Sequence, residues 1–287
     1  MRRVACVLVL GVAFAACRPD FGERASLVTT TRVLAVRAEP PEAPQGGAMT
    51  LTPLVASPDG TVGAPEIGWA FCATPKPLAE NDVVAADCLA DASRPIGVGA
   101  QVSASIPADA CSLFGPEPPP GARPRDADVT GGFYQPVRAQ LGAEPAIARL
   151  RVSCNLGGIA AEAAADFKAR YHRNQNPKVT IGVPAAVAPG AHVTLHASWR
   201  PEDAEAFVSF DPSSVAVQDR REAMRVSWFV SGGALDTDRT GRDEGDLATT
   251  TDDGFTAPGT PGTVHLWLVL RDSRGGVDFE AADIDVR

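Results

Sequence analysis

The sequence has 287 residues, of which 26 are Lys or Arg and 35 are Asp or Glu, so its formal net charge is −9. Nucleic-acid binding depends on neutralising phosphates with Lys and Arg, and an acidic chain is therefore a poor candidate for it. Hydrophobic residues make up 45% of the chain, which is enough for packed cores and excludes a disordered protein.

The N-terminus has the pattern of an export signal. Two arginines are followed by an apolar run over residues 4–16, which is too short for a bilayer-spanning helix of about 20 residues but typical of a signal peptide. The small residues before Cys17 resemble the lipobox of bacterial lipoproteins. In that family the cysteine sulfur is diacylated, the preceding peptide bond is cut, and the new amino group is acylated, with palmitate as a typical acyl chain. The resemblance implies a mature chain that begins at Cys17 and is attached to a membrane.

Residues 1–16 are therefore interpreted as a lipoprotein signal peptide. Arg18 follows the cysteine where Asp would favour retention, and by the sorting rule of enteric bacteria this indicates the outer membrane of a bacterial cell envelope. Loss of the signal with its two arginines leaves 24 basic and 35 acidic side chains, a net charge of −11. An alternative stays open, because the A-x-A site at 13–15 would let ordinary signal peptidase release a soluble protein that begins at Ala16.

Four further cysteines remain after Cys6 leaves with the signal. An even number of cysteines in an oxidising compartment predicts two disulfides among Cys72, Cys88, Cys111 and Cys154. Three pairings are possible. The favoured one joins Cys72 to Cys88 across a short loop and Cys111 to Cys154, which ties a Pro-rich segment to a strand. A four-cysteine zinc site is the alternative, but the C-x-x-C pairs typical of such sites are absent.

Three sequence features recur in the same order in both halves of the chain, which predicts two copies of one architecture. The segment 46–51 recurs, with residue numbers shifted by 144, as 190–195. A strand containing tryptophan follows each of them, at 67–71 and at 225–230. Later in each half a long apolar strand precedes a double glycine, at 148–154 and at 264–270.

The second copy has the clearer strand pattern. Residues 192–199 alternate polar and apolar side chains, as a strand with one buried and one exposed face does. Residues 264–271 are apolar on both faces, as expected of a central strand. The segment 272–276 supplies glycines for a hairpin before a final strand at 277–286. Short strands between Gly, Pro and Asp turns indicate a β-sandwich.

Residues 178–287 resemble the Ig-like and PKD-type modules of bacterial surface proteins. The resemblance is carried by SWFVSGG and by GTPGTVHLWLVLRDSRGGVDFEAADIDV, in which an apolar strand, a D-x-x-G-G turn and a closing strand follow a tryptophan strand. The first half resembles the same class in its opening, AEPPEAPQGGAMTLTPLVA. The resemblance implies modules that act as spacers and binders and have no family-wide catalytic residues.

The predicted protein is mainly β, with two tandem Ig-like β-sandwiches. After the signal peptide, residues 17–31 form a tether without a sustained apolar period. The first sandwich spans 32–176 and is enlarged by a Pro-rich loop and one short helix, and the second, of Ig-like or PKD type, spans 177–287. The helix is expected at 159–172, where apolar positions recur every four residues, packed on the first sandwich as a lid over a sheet edge. Docking of a partner by this helix is the alternative.

The histidines do not predict a metal site. On a strand, His192 and His196 would be about 13 Å apart, which is too far for two ligands of one zinc. His172 and His265 each stand alone and are interpreted as structural. No G-x-S-x-G motif is present, and no catalytic residue, metal ligand or cofactor is predicted.

An acidic segment at 236–244 is the best candidate for calcium, because calcium prefers clustered oxygen ligands around a tight turn. It departs from the EF-hand pattern at Thr240 and at Leu247, where that pattern has ligands, and it contains two arginines. A solvated connection is favoured, and calcium binding is the alternative.

The sequence thus predicts a non-enzymatic lipoprotein of the bacterial envelope, held to the membrane through Cys17. Its role would be binding or scaffolding, with an envelope protein or polysaccharide as partner. The alternative is an envelope enzyme or solute-binding lipoprotein whose site lies in the first module, between the Pro-rich loop at 115–125 and the helix. A deep pocket with converging polar groups would favour the alternative, and a convex, disulfide-pinned loop is what we expect.

Overall fold

A computed structural model describes residues 24–90, 93–116, 119–122, 130–156, 159–211, 214 and 216–287. The predicted signal peptide and Cys17 lie outside the described residues. The described chain is mainly β and contains several sheets and three α-helices. No helix in this part of the chain is long and apolar enough to cross a membrane.

The first half forms two sheets and two short helices. Its elements are β1 (Arg32–Glu39), β2 (Glu42–Pro44), β3 (Ala48–Ser57), β4 (Gly60–Thr61), β5 (Gly68–Cys72), α1 (Ala86–Leu89), β6 (Ser93–Val98), β7 (Val102–Ser105), α2 (Ala110–Phe114), β8 (Phe133–Leu141) and β9 (Glu144–Ser153). One sheet contains β1, β3, β4 and β7, and the other has the order β2-β9-β8-β5-β6.

The second half begins after a third helix. Its elements are α3 (Ala161–Arg170), β10 (Val179–Gly182), β11 (Ala186–Val187), β12 (His192–Trp199), β13 (Ala206–Asp211), β14 (Ala216–Arg221), β15 (Met224–Val230), β16 (Ala234–Leu235), β17 (Arg239–Arg242), β18 (Thr250–Thr256), β19 (Gly262–Asp272) and β20 (Val277–Val286). The two larger sheets have the orders β10-β12-β18-β16 and β11-β20-β19-β15-β17, and β13 and β14 form a separate hairpin.

One strand order repeats along the chain. The sheet β2-β9-β8-β5-β6 of the first half has the same order as β11-β20-β19-β15-β17 of the second. In both sheets the first strand is parallel to its neighbour and the remaining pairs are antiparallel. The partner sheets also correspond, because β1-β3-β7 matches β10-β12-β18.

One of the predicted correspondences between the halves is wrong. Residues 148–153 belong to β9, whose positional equivalent is β20, whereas 264–270 belong to β19, whose equivalent is β8. The turn that matches 272–276 is therefore the one at Gly142, which has a φ of 62°. Both strands of each hairpin are largely apolar, so composition does not distinguish the outgoing strand from the returning one.

The core of each half lies between its two sheets. A tryptophan occupies equivalent strands, Trp69 in β5 and Trp228 in β15, and each is at most 2% exposed. The Trp69 indole N–H donates to the Gly99 carbonyl at 2.9 Å, and the Trp228 indole donates to Thr240 Oγ1 at 2.9 Å. A buried indole N–H needs an acceptor, and both halves provide one for a tryptophan on equivalent strands.

Two disulfides fasten the long connections of the first half. They join Cys72 to Cys88 and Cys111 to Cys154, which is the pairing that the sequence favours. The first ties α1 to the end of β5, and the second ties α2 to the residue after β9. Phe114 packs in a small separate core with the first disulfide.

The two halves share an apolar contact. Ala35 of β1 with Leu54 and Ala56 of β3 form one buried cluster with Trp267 and Val269 of β19. The remaining face of β19 points into the core of the second half. This explains why the sequence of β19 is apolar on both faces.

The end of the predicted tether is not free. Val28 N–H donates to the Val230 carbonyl at 2.8 Å, Val230 N–H donates to the Ser26 carbonyl at 2.9 Å, and the Arg24 guanidinium donates to the Leu235 carbonyl at 2.5 Å. Ser26 and Val28 use backbone groups of β15 beyond its contact with β17, and Arg24 binds β16. The part of the predicted tether that the structure describes is thus hydrogen-bonded to the second half from residue 24 onward.

Candidate functional site

A cleft of about 490 Å³ lies between α3 and the end of β9. Aromatic side chains line it, and two of them, Phe167 and Tyr171, stack with ring centroids 4.9 Å apart. Lys168 and Arg173 also border the cleft and are exposed. The cleft thus combines an apolar aromatic wall with positive charge at its mouth.

The helix α3 forms within the range that the sequence predicts, but it is not packed on the first half alone. It lies against the hairpin of β13 and β14, which belongs to the second half. Arg170, at the end of α3, binds Asp166 one turn earlier at 3.2 Å and also pairs with Asp219 of β14. The helix is therefore a bridge between the halves as well as one wall of the cleft.

A buried polar group forms the floor of the cleft. Because β2 runs parallel to β9 and pairs Glu42 with Arg151, these two side chains are neighbours. Arg151 Nε lies 3.4 Å from Glu42 Oε2, and the two side chains are 3% and 1% exposed. Glu42 Oε1 also accepts hydrogen bonds from Tyr171 Oη at 2.6 Å and Ser153 Oγ at 2.7 Å.

The remaining donors of Arg151 are also satisfied. Its Nη1 donates to Thr130 Oγ1 at 2.8 Å and to Tyr134 Oη at 3.1 Å. A Cβ on Gly132 would lie 2.3 Å from this Nη1, so a larger residue there would displace the Arg151 guanidinium. Burial lowers the pKa of Arg151, but the nearby Tyr171, Tyr134 and Glu42 outweigh it and the net pKa is raised.

The hydroxyl of Tyr171 stays protonated at neutral pH. Burial is the largest cause that raises its pKa, to about 12, with Arg151 opposing the shift and Glu42 adding to it. The protonated hydroxyl acts as a donor to the Glu42 carboxylate. This bond fastens the C-terminal end of α3 to the sheet of the first half.

The polar network continues into the second half through Asn174. Its backbone N–H donates to Glu42 Oε2 at 3.1 Å, and its side-chain Nδ2 lies 3.2 Å from both carboxylate oxygens of Asp272. Asp272 Oδ1 in turn accepts the backbone N–H groups of Arg274 and Gly276 at 2.8 Å each. The turn between β19 and β20 is thereby tied to the first half.

Arg274 is fully buried and completes the network. Its Nε donates to Glu222 Oε1 at 2.6 Å, its Nη2 to Glu205 Oε2 at 2.7 Å, and its Nη1 to the His172 carbonyl at 2.8 Å. Its guanidinium carbon also lies 4.9 Å from the centroid of the Phe207 ring, a cation–π contact. We call the whole set the junction cluster: Glu42, Arg151, Tyr171, Asn174, Glu205, Glu222, Asp272 and Arg274.

Two carboxyl groups of the junction cluster have a raised pKa. Burial, followed by the charge of Asp272, raises the pKa of Glu222 to about 8, although Arg274 opposes the shift. Burial likewise raises the pKa of Asp272. The ion pairs and hydrogen bonds among these side chains link the two halves.

The histidines of β12 are each paired with an aspartate rather than with each other. His192 Nε2 lies 3.1 Å from Asp236 Oδ2, and His196 Nδ1 lies 2.7 Å from Asp252 Oδ1. His265, which the sequence left alone, lies 2.7 Å from an oxygen of Asp283. In the described ranges, no group of three or more His, Cys, Asp or Glu side chains is placed to hold a metal ion.

The acidic segment at 236–244 is partly a strand, because β17 occupies its residues 239–242. Two of its carboxylates are engaged by arginines: Asp243 by Arg225 at 2.6 Å and Glu244 by Arg220 at 2.6 Å. Residues 236–239, 243 and 244 are exposed, in agreement with a solvated connection, and β17 adds a short strand within it.

The Pro-rich segment lies partly outside the described residues. The described residues 119–122 contact a different loop, where Leu78 N–H donates to the Gly121 carbonyl at 3.3 Å. The cleft borders α3 and residues 131–133 instead. The cleft that the structure describes lies between the helix and β9, and the site predicted between the Pro-rich loop and the helix stays a prediction.

The junction cluster could not be identified from the sequence. Tyr171 counted there as an apolar helix position, and Asp272 and Arg274 counted as hairpin residues. The one available signal was an aspartate and an arginine inside a D-x-R-G-G turn, which need partners if the turn is buried. Their partners Glu42 and Glu222 are distant in sequence and carry no local pattern.

Comparison with known proteins does not assign a family. No protein-family model matches the chain, and no curated protein matches it. Among solved structures it is similar to a superoxide reductase (neelaredoxin) from Ignicoccus hospitalis, with 16% identity over 42% of this chain and 84% of that one and a TM-score of 0.27. The adhesin InvE of Yersinia pseudotuberculosis has 11% identity over 93% of this chain and 62% of that one, with a TM-score of 0.27.

A third similar structure is the native α2-macroglobulin of E. coli, with 11% identity and a TM-score of 0.26. This match covers 90% of the present chain but 17% of the macroglobulin. TM-scores at this level assign neither fold family nor function.

Proposed function

We propose that the protein is a non-enzymatic lipoprotein of the bacterial envelope, attached to the outer membrane through lipid on Cys17. In this proposal the two halves, 32–176 and 177–287, are tandem Ig-like β-sandwich modules. Together they form one stiff scaffold that presents a surface to an envelope protein or polysaccharide.

The junction between the halves is the observation that carries the scaffold role. Domains of one chain move relative to one another by default unless their interface is large and hydrophobic. Here an apolar cluster of β1, β3 and β19 and the polar junction cluster both cross the interface. Buried hydrogen-bonded charges tolerate little displacement, because any separation leaves a charge unpaired. A stiff pair of modules suits a protein that holds a surface at a set position.

The strand order supports the Ig-like assignment. Each half has two sheets around one core and a buried tryptophan on equivalent strands. Paired sheets with a tryptophan in the core are a hallmark of Ig-like domains. The parallel edge strands β2 and β11 provide a distinctive feature that both copies share.

Cell fractionation with Cys17→Ala tests the membrane attachment. We expect the unmodified protein in the outer-membrane fraction and the variant in the soluble periplasmic fraction or retained as an unprocessed precursor. Cys6→Ala is the matched control, because it changes a cysteine of the same N-terminal segment outside the lipobox. An unchanged membrane distribution of Cys17→Ala would contradict the proposal. Photo-cross-linking in cells then identifies the envelope partner.

The cleft favours a second candidate, a solute-binding lipoprotein. Its aromatic wall and the positive charges of Lys168 and Arg173 fit an anion that carries an apolar or aromatic part. Neither cation has an ion-pair partner in the part of the chain that the structure describes. A suitable probe is 1-anilinonaphthalene-8-sulfonate, an aromatic anion with a fluorescence readout.

For this candidate we expect the double variant Lys168→Ala/Arg173→Ala to bind the probe at least tenfold more weakly than the unmodified protein. Lys178→Ala, which removes an exposed cation elsewhere, is the control and is expected to bind normally. Equal affinity of the double variant, or no saturable binding by the unmodified protein, would exclude an anion site in the cleft.

A further inference from the structure

The start of the described chain is fixed at one end of the second half. Arg24 contacts the Leu235 carbonyl, and residues 26–28 are hydrogen-bonded to Val230 at the end of β15. Arg24 is seven positions after Cys17, so seven residue-to-residue steps join them. At 3.3–3.6 Å per residue, an acylated Cys17 would lie at most about 25 Å from this point.

Three loops meet at this end of the second half. They are 188–191, which joins β11 to β12, 231–233, which joins β15 to β16, and 257–261, which joins β18 to β19. Backbone bonds connect the first and the third, because Gly190 N–H donates to the Pro258 carbonyl at 3.0 Å and Ala257 N–H donates to the Ala191 carbonyl at 2.9 Å. The second lies beside the third, because a Cβ on Gly232 would be 3.5 Å from Pro258 Cγ. We call these three loops the near end.

The near end carries no charged side chain. Its loops read Ala-Pro-Gly-Ala, Ser-Gly-Gly and Ala-Pro-Gly-Thr-Pro. Most of these residues are exposed, so burial does not explain the lack of charge. One charged residue, Arg287, borders these loops, because Val286 pairs with Gly262 and the Arg287 N–H donates to the Val187 carbonyl at 2.9 Å; its charge is positive and is therefore attracted by anionic headgroups.

The opposite end of the second half is strongly charged. It consists of the loops 200–205, 222–223, 243–249 and 273–276, at the other ends of the same strands. Their charged residues that are exposed or partly exposed are Arg200, Glu202, Glu205, Asp243, Glu244 and Asp246, so the accessible charge at this end is mainly acidic, whereas Asp203, Glu222 and Arg274 are buried. Since β19 has 11 residues, the two ends are about 35 Å apart.

We infer that the near end rests against the lipid surface that carries the anchor, with the charged end pointing away from it. This inference depends on the proposed lipid anchor at Cys17. The fixed position of Arg24 keeps the near end within reach of the membrane. The charge distribution then sets the orientation, because an acidic surface is repelled by anionic lipid headgroups and an uncharged one is not.

Fluorescence quenching by headgroup-labelled lipid tests the orientation. The full-length protein, purified with its lipid anchor, is reconstituted in vesicles of phosphatidylcholine and phosphatidylglycerol. Ala188→Cys and Thr260→Cys place the same fluorophore in the near end. Leu247→Cys, whose native side chain is 76% exposed, places it in the charged end as the matched control. Unchanged melting temperatures show that the labelled variants are folded.

We expect at least threefold stronger quenching at positions 188 and 260 than at 247. Equal quenching, or stronger quenching at 247, would overturn the inference even though flotation with the vesicles would still support the anchor. A protein that does not float with the vesicles would overturn the anchor, and the inference with it.

A second pair of variants tests the role of charge. Ala188→Glu/Thr260→Glu is compared with Ala188→Gln/Thr260→Gln, each with the fluorophore at Ala234→Cys in the strand that follows loop 231–233. The acyl chains hold both variants on the vesicles. We expect the glutamate variant to lose at least half of its quenching and the glutamine variant to retain it. Equal quenching of the two would contradict an orientation set by charge.

Discussion

At the scale of single residues, the most consequential side chain is Arg274. It is fully buried, and its guanidinium binds two carboxylates and a main-chain carbonyl. An isolated charge at this depth would be strongly unfavourable, so the arginine depends on its partners and they depend on it. Removal of one partner therefore leaves the other buried polar groups unpaired, and their desolvation then lowers the stability of the folded protein.

We predict that Arg274→Met lowers the free energy of unfolding by about 3–5 kcal/mol, because it removes the hydrogen-bond donor of buried Glu222 and the counter-charge of Glu205. Denaturant titration followed by tryptophan fluorescence measures the change. Arg225→Met is the control, since Arg225 pairs with Asp243 on the surface, where both side chains are more than half exposed. Its loss is expected to change stability little. Similar losses for both variants would show that the buried cluster has no special role.

The raised pKa of Glu222 predicts that the stability of the protein depends on pH. Its pKa is about 8 in the folded protein and 4.5 in its ordinary state, so the folded state binds more protons between these values. Stability from this group is therefore complete below pH 4.5 and is lost as pH rises through 8, with a slope of up to about 1.4 kcal/mol per pH unit. Unfolding titrations of the unmodified protein and Glu222→Gln at several pH values give the difference. A difference that does not vary between pH 5 and 8, or varies in the opposite direction, would contradict the prediction.

At the scale of elements, the disulfides replace core that the first half lacks. In the loop from β5 to β6 the apolar Leu78, Val83 and Leu89 are exposed, and the small core there consists of Cys72, Val84, Cys88 and Phe114; this loop and the segment around α2 are each held by one disulfide. The two loops enclose 16 and 43 residues. In the chain-entropy account a cross-link that closes a longer loop restricts the unfolded chain more strongly.

We predict that Cys72→Ala/Cys88→Ala costs about 3 kcal/mol of stability and that Cys111→Ala/Cys154→Ala costs about 4 kcal/mol. Thermal or denaturant unfolding of each double variant under non-reducing conditions measures both values. The reverse order of losses would show that packing around α1, rather than loop length, decides the contribution.

The elements also show what sequence patterns could predict. The two-residue period located β12, and the final strand was predicted at 277–286, the bounds that the structure gives. β2 and β11 have three and two residues, which is too short for any period, so the parallel edges were missed. The cleft was missed for a related reason: its residues come from β2, β9 and α3, and only tertiary structure brings them together.

At the scale of the whole molecule, the account requires the two halves to move as one body. The four cysteines among the described residues, Cys72, Cys88, Cys111 and Cys154, are all in disulfides, so introduced cysteines can be labelled selectively. Val98→Cys in the first half and Leu247→Cys in the second, both at exposed positions, accept a nitroxide pair. We predict one narrow distance distribution by double electron–electron resonance, and broadening when Asn174→Ala breaks the link between Glu42 and Asp272. A broad or two-peaked distribution in the otherwise unmodified protein would show that the halves are hinged.

The proposed function depends on one covalent bond, the thioether that would link lipid to Cys17. The most direct measurement is intact and peptide-level mass spectrometry of the protein extracted from bacterial membranes. The account predicts an N-terminal peptide that starts at Cys17 and carries three acyl chains. An unmodified N-terminal peptide that starts at Ala16 would contradict it and would make the protein a soluble exported one.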